Sequence, residues 1–354
     1  MAPERVLVAM SGGVDSSVAA ARLVDEGHDV TGVTLKLWGG PSDSGCCSVA
    51  DVEDARRVAA QIGIPHYVFN LTDDFDAHVV EPYVDAHAHA RTPNPCVECN
   101  RAIKFGVLFE RMDALGFDAL ATGHHARVVT DDAGRPRLAR GRDAAKDQSY
   151  VLYMLRSQQL ERTRFPVGEL TKADVRADAE RRGLRTATKA ESMDVCFITR
   201  GDRVNFLGAR IASAPGPIVD VDGNDLGAHD GTARFTIGQR RGTGVALGER
   251  RFVVDIDAAT ATVTMGSRAD LLRDTIELDD LVLDHDDVMA REVFVQTRAH
   301  GEPVAARVHR TGATTARVDL ATAQPRVAPG QVVALYDGEV LLGGGIVAAG
   351  VNAR

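Results

Sequence analysis

Val6-Leu7-Val8-Ala9-Met10-Ser11-Gly12-Gly13-Val14-Asp15-Ser16-Ser17 is the stretch whose reading decides the fold. An apolar run suited to a buried strand ends in two glycines. Glycines permit a tight turn and let backbone N–H groups approach an anion closely. The helix expected to follow directs its positive end at the same point. Ser11, Ser16 and Ser17 can donate to phosphate oxygens, whereas Asp15 would repel phosphate and is better suited to holding Mg²⁺ against it. On local residues alone, a plain Gly-Gly turn with a Ser or Asp helix cap fits equally well. No Gly-x4-Gly-Lys-Ser/Thr occurs, which excludes an ordinary Walker-type NTPase.

Outward from this loop, short β-branched runs alternate with helical patterns. Arg5–Ala9, Val30–Leu37, Tyr67–Leu71 and Ala119–Thr122 read as strands. Ser16–Glu26, closed by Gly27, reads as a helix. So does Val49–Ile62, apolar at 52, 55, 58, 59 and 62 and stopped by Gly63 and Pro65, and so does Phe105–Leu115. The alternation predicts an α/β domain, a parallel sheet with helices on both faces, binding its ligand at the carboxyl ends of the strands. Leu35, at the end of the second strand, and Gly123, just past the fourth, are expected to border the ligand there, with Gly123 leaving it space. A hairpin over Ala126–Arg140 turns at Asp131-Asp132-Ala133-Gly134, and helices follow over Ser149–Arg156 and Lys172–Arg182. Beyond Gly208 the texture is all-β: Arg251–Ile256, Thr262–Met265, Val293–Thr297 and Val332–Tyr336, punctuated by Asp-Gly and Gly-Asn pairs. The expected domains are 1–207, 208–275 (a small β-rich connector) and 276–354 (a β-barrel).

Among 354 residues, 41 basic and 50 acidic side chains give a net charge of −9, which excludes a general polyanion binder. A nucleic-acid partner needs a local basic patch. Arg135, Arg137, Arg140, Arg142 and Lys146, opposed in that stretch only by Asp143, are the candidate; a solvated hairpin is the alternative. The beginning of the chain carries no secretory pattern, and the longest uncharged apolar stretch near the end, Val340–Val351, is too short to cross a bilayer. Five cysteines (Cys46, Cys47, Cys96, Cys99, Cys196) are too few for a disulfide scaffold and suit a reducing, cytoplasmic setting without membrane association. Cys99 follows Thr92-Pro93-Asn94-Pro95, close to a helix expected to open at Lys104-Phe105, and Arg101 and Lys104 would favour its thiolate. Cys196 sits in Ser192-Met193-Asp194-Val195-Cys196-Phe197-Ile198. Both residues also fit burial as small hydrophobes, or ligation of zinc or an iron–sulfur centre together with Cys96, His124 or His125. With a single Cys-x-x-Cys the zinc signal is weak, and the adjacent Cys46 and Cys47 read as structural.

Ser11-Gly-Gly-Val-Asp-Ser16 resembles the pyrophosphate loop of ATP pyrophosphatases. With Thr92-Pro-Asn-Pro95, Cys99-Asn100, Ala121-Thr-Gly-His124, Lys146-Asp-Gln148, Met193-Asp-Val-Cys196 and Gly238-Gln-Arg-Arg-Gly242 in this order, the chain resembles bacterial tRNA-specific 2-thiouridylases of the PP-loop superfamily. The resemblance implies ATP-dependent, Mg²⁺-assisted adenylation of the C2 oxygen of a wobble uridine, followed by sulfur transfer. Sulfur would arrive as a Cys196 persulfide supplied by a sulfur-relay protein or cysteine desulfurase. Cys99 would be the partner nucleophile, able to end in a disulfide with Cys196. It further implies ATP contacts at Ala9, Met10, Ser11, Gly12, Gly13, Val14, Asp15, Ser16, Leu35 and Gly123. Contacts to the flipped base would fall at Asn94, Pro95 and Cys96, and tRNA contacts at His124, Lys146, Asp147, Gln148 and Gln331, with no resident metal. Cys96 stands where the family often has Asp, and His125 where Tyr is frequent. The usual Arg-Tyr pair of the C-terminal barrel has no clean counterpart near Arg307–Arg310. A PP-loop ligase adenylating a small molecule and a thiolase using an iron–sulfur cluster are the rival readings.

Overall fold

The computed structural model describes residues 2–38, 48–190, 195–198, 203–212, 214–245, 250–284, 288–289, 291–299 and 301–349. Cys46 and Cys47, read above as structural, lie outside them. In chain order β1 (Arg5–Ala9), α1 (Val14–Asp25), β2 (Asp29–Lys36), α2 (Val49–Ile62) and β3 (His66–Asn70) come first. A helical run follows, α3 (Thr72–Phe75), a π turn (Asp76–Val80) and α4 (Glu81–Ala88). Next are α5 (Pro95–Glu98), a π-helical stretch (Cys99–Val107), α6 (Leu108–Ala114), β4 (Ala119–Thr122) and the hairpin β5 (Ala126–Thr130) and β6 (Pro136–Arg140). A 3-10 turn (Ser149–Leu152) leads to α7 (Ser157–Glu161), β7 (Thr163–Arg164), α8 (Lys172–Arg181) and a second 3-10 turn (Arg185–Thr188). After α9 (Arg203–Gly208) the strands are β8 (Gly216–Asp220), β9 (Asp225–His229), β10 (Phe252–Asp257) and β11 (Thr262–Gly266). The last set is β12 (Leu272–Leu283), β13 (Glu292–Gln296), β14 (Val304–Arg310), β15 (Ala316–Pro325), β16 (Val332–Asp337) and β17 (Val340–Val347).

Two compact units form: Met1–Val80 with Pro95–Arg200 and Gly338–Leu342, and Glu81–Asn94 with Gly201–Asp337 and Gly343–Arg354. In the first, a five-stranded parallel sheet has the order β3-β2-β1-β4-β7. The chain leaves β1 toward β2 and β3, then returns to β1's other side as β4. The loop after β1 therefore lies at the point where strand order reverses, the place where open parallel sheets bind ligands. β1, β2 and β4 are buried on both faces, whereas the edge strand β3 is largely exposed; Val6, Val8, Val18, Val58, Ala119, Ala121, Val175 and Leu184 share one core. Each large aliphatic buried there contributes about 1.5–3 kcal/mol. Ser48 caps α2 through a reciprocal box with Asp51, and Gly63, at φ 77°, ends it in the left-handed conformation that the Gly-Ile-Pro sequence anticipates.

Two expectations are corrected here. The helix expected to open at Lys104 begins at Pro95, because proline suits the first helical position, where its missing N–H costs nothing. Cys96 and Cys99 are thus helical, not in a loop. Ser149–Arg156 is a 3-10 turn followed by α7.

The second unit holds a four-stranded sheet, β10-β11-β8-β9, and an antiparallel barrel of β12, β15, β14, β13, β16 and β17 closed by pairing of β12 with β17. Closure leaves no open edge in the barrel. Its α4 buries His87, whose ring lies 4.4 Å from that of Tyr83 and whose Nδ1 is 3.0 Å from the Tyr83 carbonyl. Burial lowers this imidazole from 6.5 to about 4, against the carbonyl bond, which acts to raise it. The unfolded chain binds this proton more readily, so the His87 contribution is complete above about pH 6.5 and is lost as pH falls toward 4. Over that window the loss approaches about 3 kcal/mol. Urea midpoints measured from pH 7.5 to 5 should fall for the wild type and fall less steeply for His87→Gln; parallel slopes would remove His87 as the cause. Among the described residues no helix is long and apolar enough to cross a membrane.

Candidate active site at the carboxyl edge of the parallel sheet

β1 ends at Ala9, and Met10 is tied to the neighbouring strand by its N–H donating to the Val33 carbonyl (2.8 Å). Gly12 takes φ +71°, and a Cβ there would come within 2.3 Å of the Asp51 carbonyl oxygen. Both the turn and the close backbone approach therefore require glycine. Gly13 caps α1 without a side-chain bond. The Ser11 N–H donates to Ser16 Oγ (3.1 Å), and the Ser16 and Ser17 hydroxyls donate to the Gly13 carbonyl (3.2 and 2.8 Å). These bonds close the loop on itself at the amino end of a twelve-residue helix, an arrangement that aims backbone donors at an anion.

Asp15 does not stand alone as a cation ligand. Lys172 Nζ donates to both of its carboxylate oxygens (2.8 and 2.7 Å), and His125 Nε2 lies 3.2 Å from one of them. Burial acts to raise the Asp15 carboxyl, and the bonds from His125 and Lys172 outweigh it and hold it below the ordinary carboxylate value. Lys172 is the residue that sequence reading missed. It is the first residue of α8, after the Thr171 cap, where the helix dipole disfavours a cation. A lysine so placed signals a dedicated carboxylate partner.

Gly123 lies beside the same loop, but for a reason different from the one expected. A Cβ there would meet Ser16 N at 2.6 Å and Asp15 C at 2.8 Å, so its missing side chain makes room for the start of α1. Leu35 is buried in β2 beside Phe69 of β3, leaving its backbone as the part near the carboxyl edge.

His124 is buried, with Nδ1 2.7 Å from Thr122 Oγ1 and Nε2 3.5 Å from Lys104 Nζ. Burial, followed by the charge of Lys104, pushes its imidazole well below the ordinary value, so it is neutral at pH 7. Its ring is buried and backs Lys104, a second residue whose placement the sequence reading did not resolve.

Cys99 is buried as the first residue of the π-helical stretch, whose Lys104 reaches His124 just past β4. Arg101, expected to favour the Cys99 thiolate, donates to Tyr153 Oη (2.6 Å) and pairs with Glu98 (3.8 Å). Cys96 is exposed and Cys196 half-buried. Phe197, next to Cys196, packs its ring 6.0 Å from Trp38 and 5.7 Å from Phe75, beyond the carboxyl ends of β2 and β3. The anion loop, the Cys99 helix and the Cys196 segment thus gather at one edge of one sheet. Among the described residues, no three His, Cys, Asp or Glu side chains come together to hold a metal ion, so the ligand sets considered for zinc or an iron–sulfur centre do not assemble there.

Of the residues expected at tRNA, Asp147 is buried and accepts from Arg140 Nη1 (2.9 Å), Gly141 N (3.0 Å), Ser149 N (3.0 Å) and Ser149 Oγ (2.9 Å). It is a clamp on the chain after the hairpin, not a surface contact. Asp147→Ala should cost about 3–5 kcal/mol in urea unfolding, because Arg140 would keep a half-buried charge without this partner. A loss under about 1 kcal/mol would place the pair with ordinary surface bridges. Gln148 is exposed; its Oε1 accepts from the His125 N–H (2.9 Å) and its own N–H donates to the His125 carbonyl (2.9 Å). Lys146 is half-exposed nearby. Arg135 and Arg137 both bond Asp131 (2.9 and 3.0 Å) and Arg140 bonds Asp147, so three of the five cations of the candidate basic patch are ion-paired within the fold. In the second unit, Gln331 Nε2 donates to the Thr92 carbonyl, and the Thr92 N–H donates to Pro329 (2.7 Å). This docks the segment ending at Asn94 on the barrel loop.

A parallel sheet carrying a glycine-rich anion loop at its strand-order switch, followed by a small β domain and a closed barrel, defines a PP-loop α/β protein with appended β domains. Family models match throughout: a "tRNA methyl transferase HUP domain" over residues 4–200, a "tRNA methyl transferase PRC-barrel domain" over 204–267 and an "Aminomethyltransferase beta-barrel domain" over 273–347. The tRNA-specific 2-thiouridylase MnmA of Sorangium cellulosum is 47% identical over 99% of this chain and 94% of its own. Those of Chloroflexus aggregans and Mycobacteroides abscessus are each 49% identical, over 97% of this chain and 98% and 99% of theirs. The chain belongs to the tRNA-specific 2-thiouridylase family, enzymes of the sulfurtransferase class. A solved 4-thiouridine synthetase–RNA complex with ATP aligns at a TM-score of 0.37 and 18% identity over 55% of this chain and 44% of that one, too distant to bear on mechanism.

Proposed function

We propose that this enzyme uses ATP to convert the wobble uridine of tRNA to 2-thiouridine at the carboxyl edge of the sheet. The observation that carries this reading is the placement of the glycine loop and both cysteine-bearing segments at the same edge of one sheet. A small-molecule ligase of the same loop type has no use for two cysteines so placed.

The uridine C2 oxygen attacks the α-phosphorus of ATP, and pyrophosphate leaves from the loop Ala9–Ser16. An amide-like oxygen is a poor leaving group, and adenylation makes it a good one. Mg²⁺ accompanies ATP as part of the substrate. To meet it, the Asp15 carboxylate exchanges its ion pair with Lys172. The terminal sulfur of a Cys196 persulfide, delivered by an upstream sulfur carrier, bonds to C2 and AMP departs. A persulfide is nucleophilic at neutral pH, so no strong general base is needed. The Cys99 thiolate then attacks Cys196 Sγ. The S–S bond to the transferred sulfur breaks, its electron pair stays with that sulfur as C2=S, and a Cys99–Cys196 disulfide forms. An external thiol reductant supplies the two electrons that reset it. Reaching C2 requires the base to be splayed from its stack. Asn94, Pro95 and Cys96 are assigned to the base; Lys146, Gln148 and Gln331 are assigned to tRNA. His124 acts through Lys104 and Asp147 through the chain it clamps.

The test is the mobility of unthiolated tRNA on a mercury gel after incubation with protein, Mg²⁺-ATP and a persulfide donor. A retarded band supports the reading. Its absence, beside a known thiolase that retards the same tRNA, overturns it. Iron and acid-labile sulfide assays on anaerobically purified protein separate the iron–sulfur route.

A further inference from the structure

Gly12 is pressed against the Asp51 carbonyl, and Asp51 is more than a helix cap. One carboxylate oxygen accepts from Ser48 N and Oγ (3.2 and 2.7 Å), while the other accepts from Lys189 Nζ (2.7 Å). Lys189 Nζ also reaches Asp54 (2.7 Å) on the same face of α2. The Lys189 carbonyl and that of Ala187 accept from Arg176 (3.2 and 2.6 Å). Arg176 stands one helical turn after Lys172 on α8, and Lys172 holds Asp15 of the nucleotide loop. Lys189 is therefore gripped at both its side chain and its carbonyl, by the two helices that touch the loop. Lys189 precedes Cys196 by seven positions.

We propose that Lys189 is a positioning residue for sulfur transfer: its clamp to Asp51, Asp54 and Arg176 fixes the approach of the Cys196 segment to the nucleotide loop. This rests on the thiolation reading above. Three features argue against a merely decorative surface bridge. Its side chain is 28% exposed, against 16% for Asp51 and 22% for Asp54, so the triad is largely shielded. Two carboxylates one turn apart repel, and a single ammonium bridging them offsets that repulsion. The pairing also raises the Lys189 ammonium above its ordinary value even though burial acts to lower it. Misplacing a reacting group by about 1 Å costs about 100-fold in rate. The loss should fall on the step that uses Cys196 and spare the step that uses only the loop.

The experiment is a single turnover with persulfide-loaded enzyme, unthiolated tRNA and Mg²⁺-ATP, reading pyrophosphate and 2-thiouridine together. Lys189→Met is expected to keep pyrophosphate release within about 2-fold while thiolation slows about 10- to 100-fold. Lys189→Arg, which restores the cation, should recover most of the ratio. Asp54→Asn weakens the clamp without touching the helix cap and should lower the ratio in the same direction, should Lys189→Met fold poorly. An unchanged ratio of 2-thiouridine to pyrophosphate in the folded variants overturns the inference while leaving the thiolation reading intact. A wild type that makes neither product overturns both.

Discussion

Gly12→Ala is expected to lower kcat/KM for ATP, read as tRNA-dependent pyrophosphate release, by at least about 100-fold. Two costs coincide at this position. Any L side chain at φ +71° enters the left-handed region, at about 1–2 kcal/mol. The added Cβ would also fall 2.3 Å from the Asp51 carbonyl oxygen, a backbone atom that no rotamer change can move aside. The loop must then lift from α2, carrying its N–H donors off the phosphates. Gly27→Ala separates the two effects. Gly27 has φ +86° with nothing near its missing Cβ, so that variant should lose stability but keep pyrophosphate release. Equal activity losses in the two variants would show that strain alone is responsible and that the loop's seat on α2 is immaterial.

Cys196→Ser and Cys99→Ser are each expected to reduce thiolation by at least about 1,000-fold, as removal of a nucleophile does elsewhere. Pyrophosphate release in a first turnover should persist in both. A serine hydroxyl cannot carry the sulfane sulfur, so Cys196→Ser fails before transfer. Cys99→Ser loads its persulfide normally and bonds it to C2 but cannot break the S–S bond to Cys196, so the sulfur stays on the protein. Labelled sulfur retained on protein therefore distinguishes them: present in Cys99→Ser, absent in Cys196→Ser. Thiolation surviving either substitution would remove that cysteine from the chemistry and return the iron–sulfur reading to consideration.

Much of the fold was legible because its punctuation is local. Val49–Ile62 reads correctly as α2 since Gly63 and Pro65 end it, and Ala119–Thr122 reads correctly as β4 since it is a short apolar run. The strand–turn–helix at Gly12 and Gly13 was legible because two glycines stand between an apolar strand and a helix. Cys99–Val107 was not, because π-helical spacing is a tertiary outcome that no 3.6-residue pattern announces, and the helix expected to open at Lys104 starts at Pro95. The arginines of the hairpin looked like a phosphate patch since Asp131 and Asp147 flank the stretch in sequence and reach it only when the chain folds back. His124 was placed at tRNA by motif position, whereas its burial depends on Phe105 and Phe165, whose rings lie 6.3 and 6.1 Å away. Gly123 lies beside the loop, where a Cβ would also crowd the backbone at the start of α1, a packing constraint that its place after β4 does not announce.

The most direct test of the account counts products. Enzyme loaded with labelled persulfide is mixed with unthiolated tRNA and Mg²⁺-ATP, and pyrophosphate, AMP and 2-thiouridine are quantified from the same sample, the last by nucleoside mass spectrometry. The account predicts equal amounts of all three, with label moving from protein to the wobble nucleoside. Labelled 2-thiouridine formed without ATP, or with ADP in place of AMP and pyrophosphate, would contradict adenylation at the glycine loop as the step that activates the base.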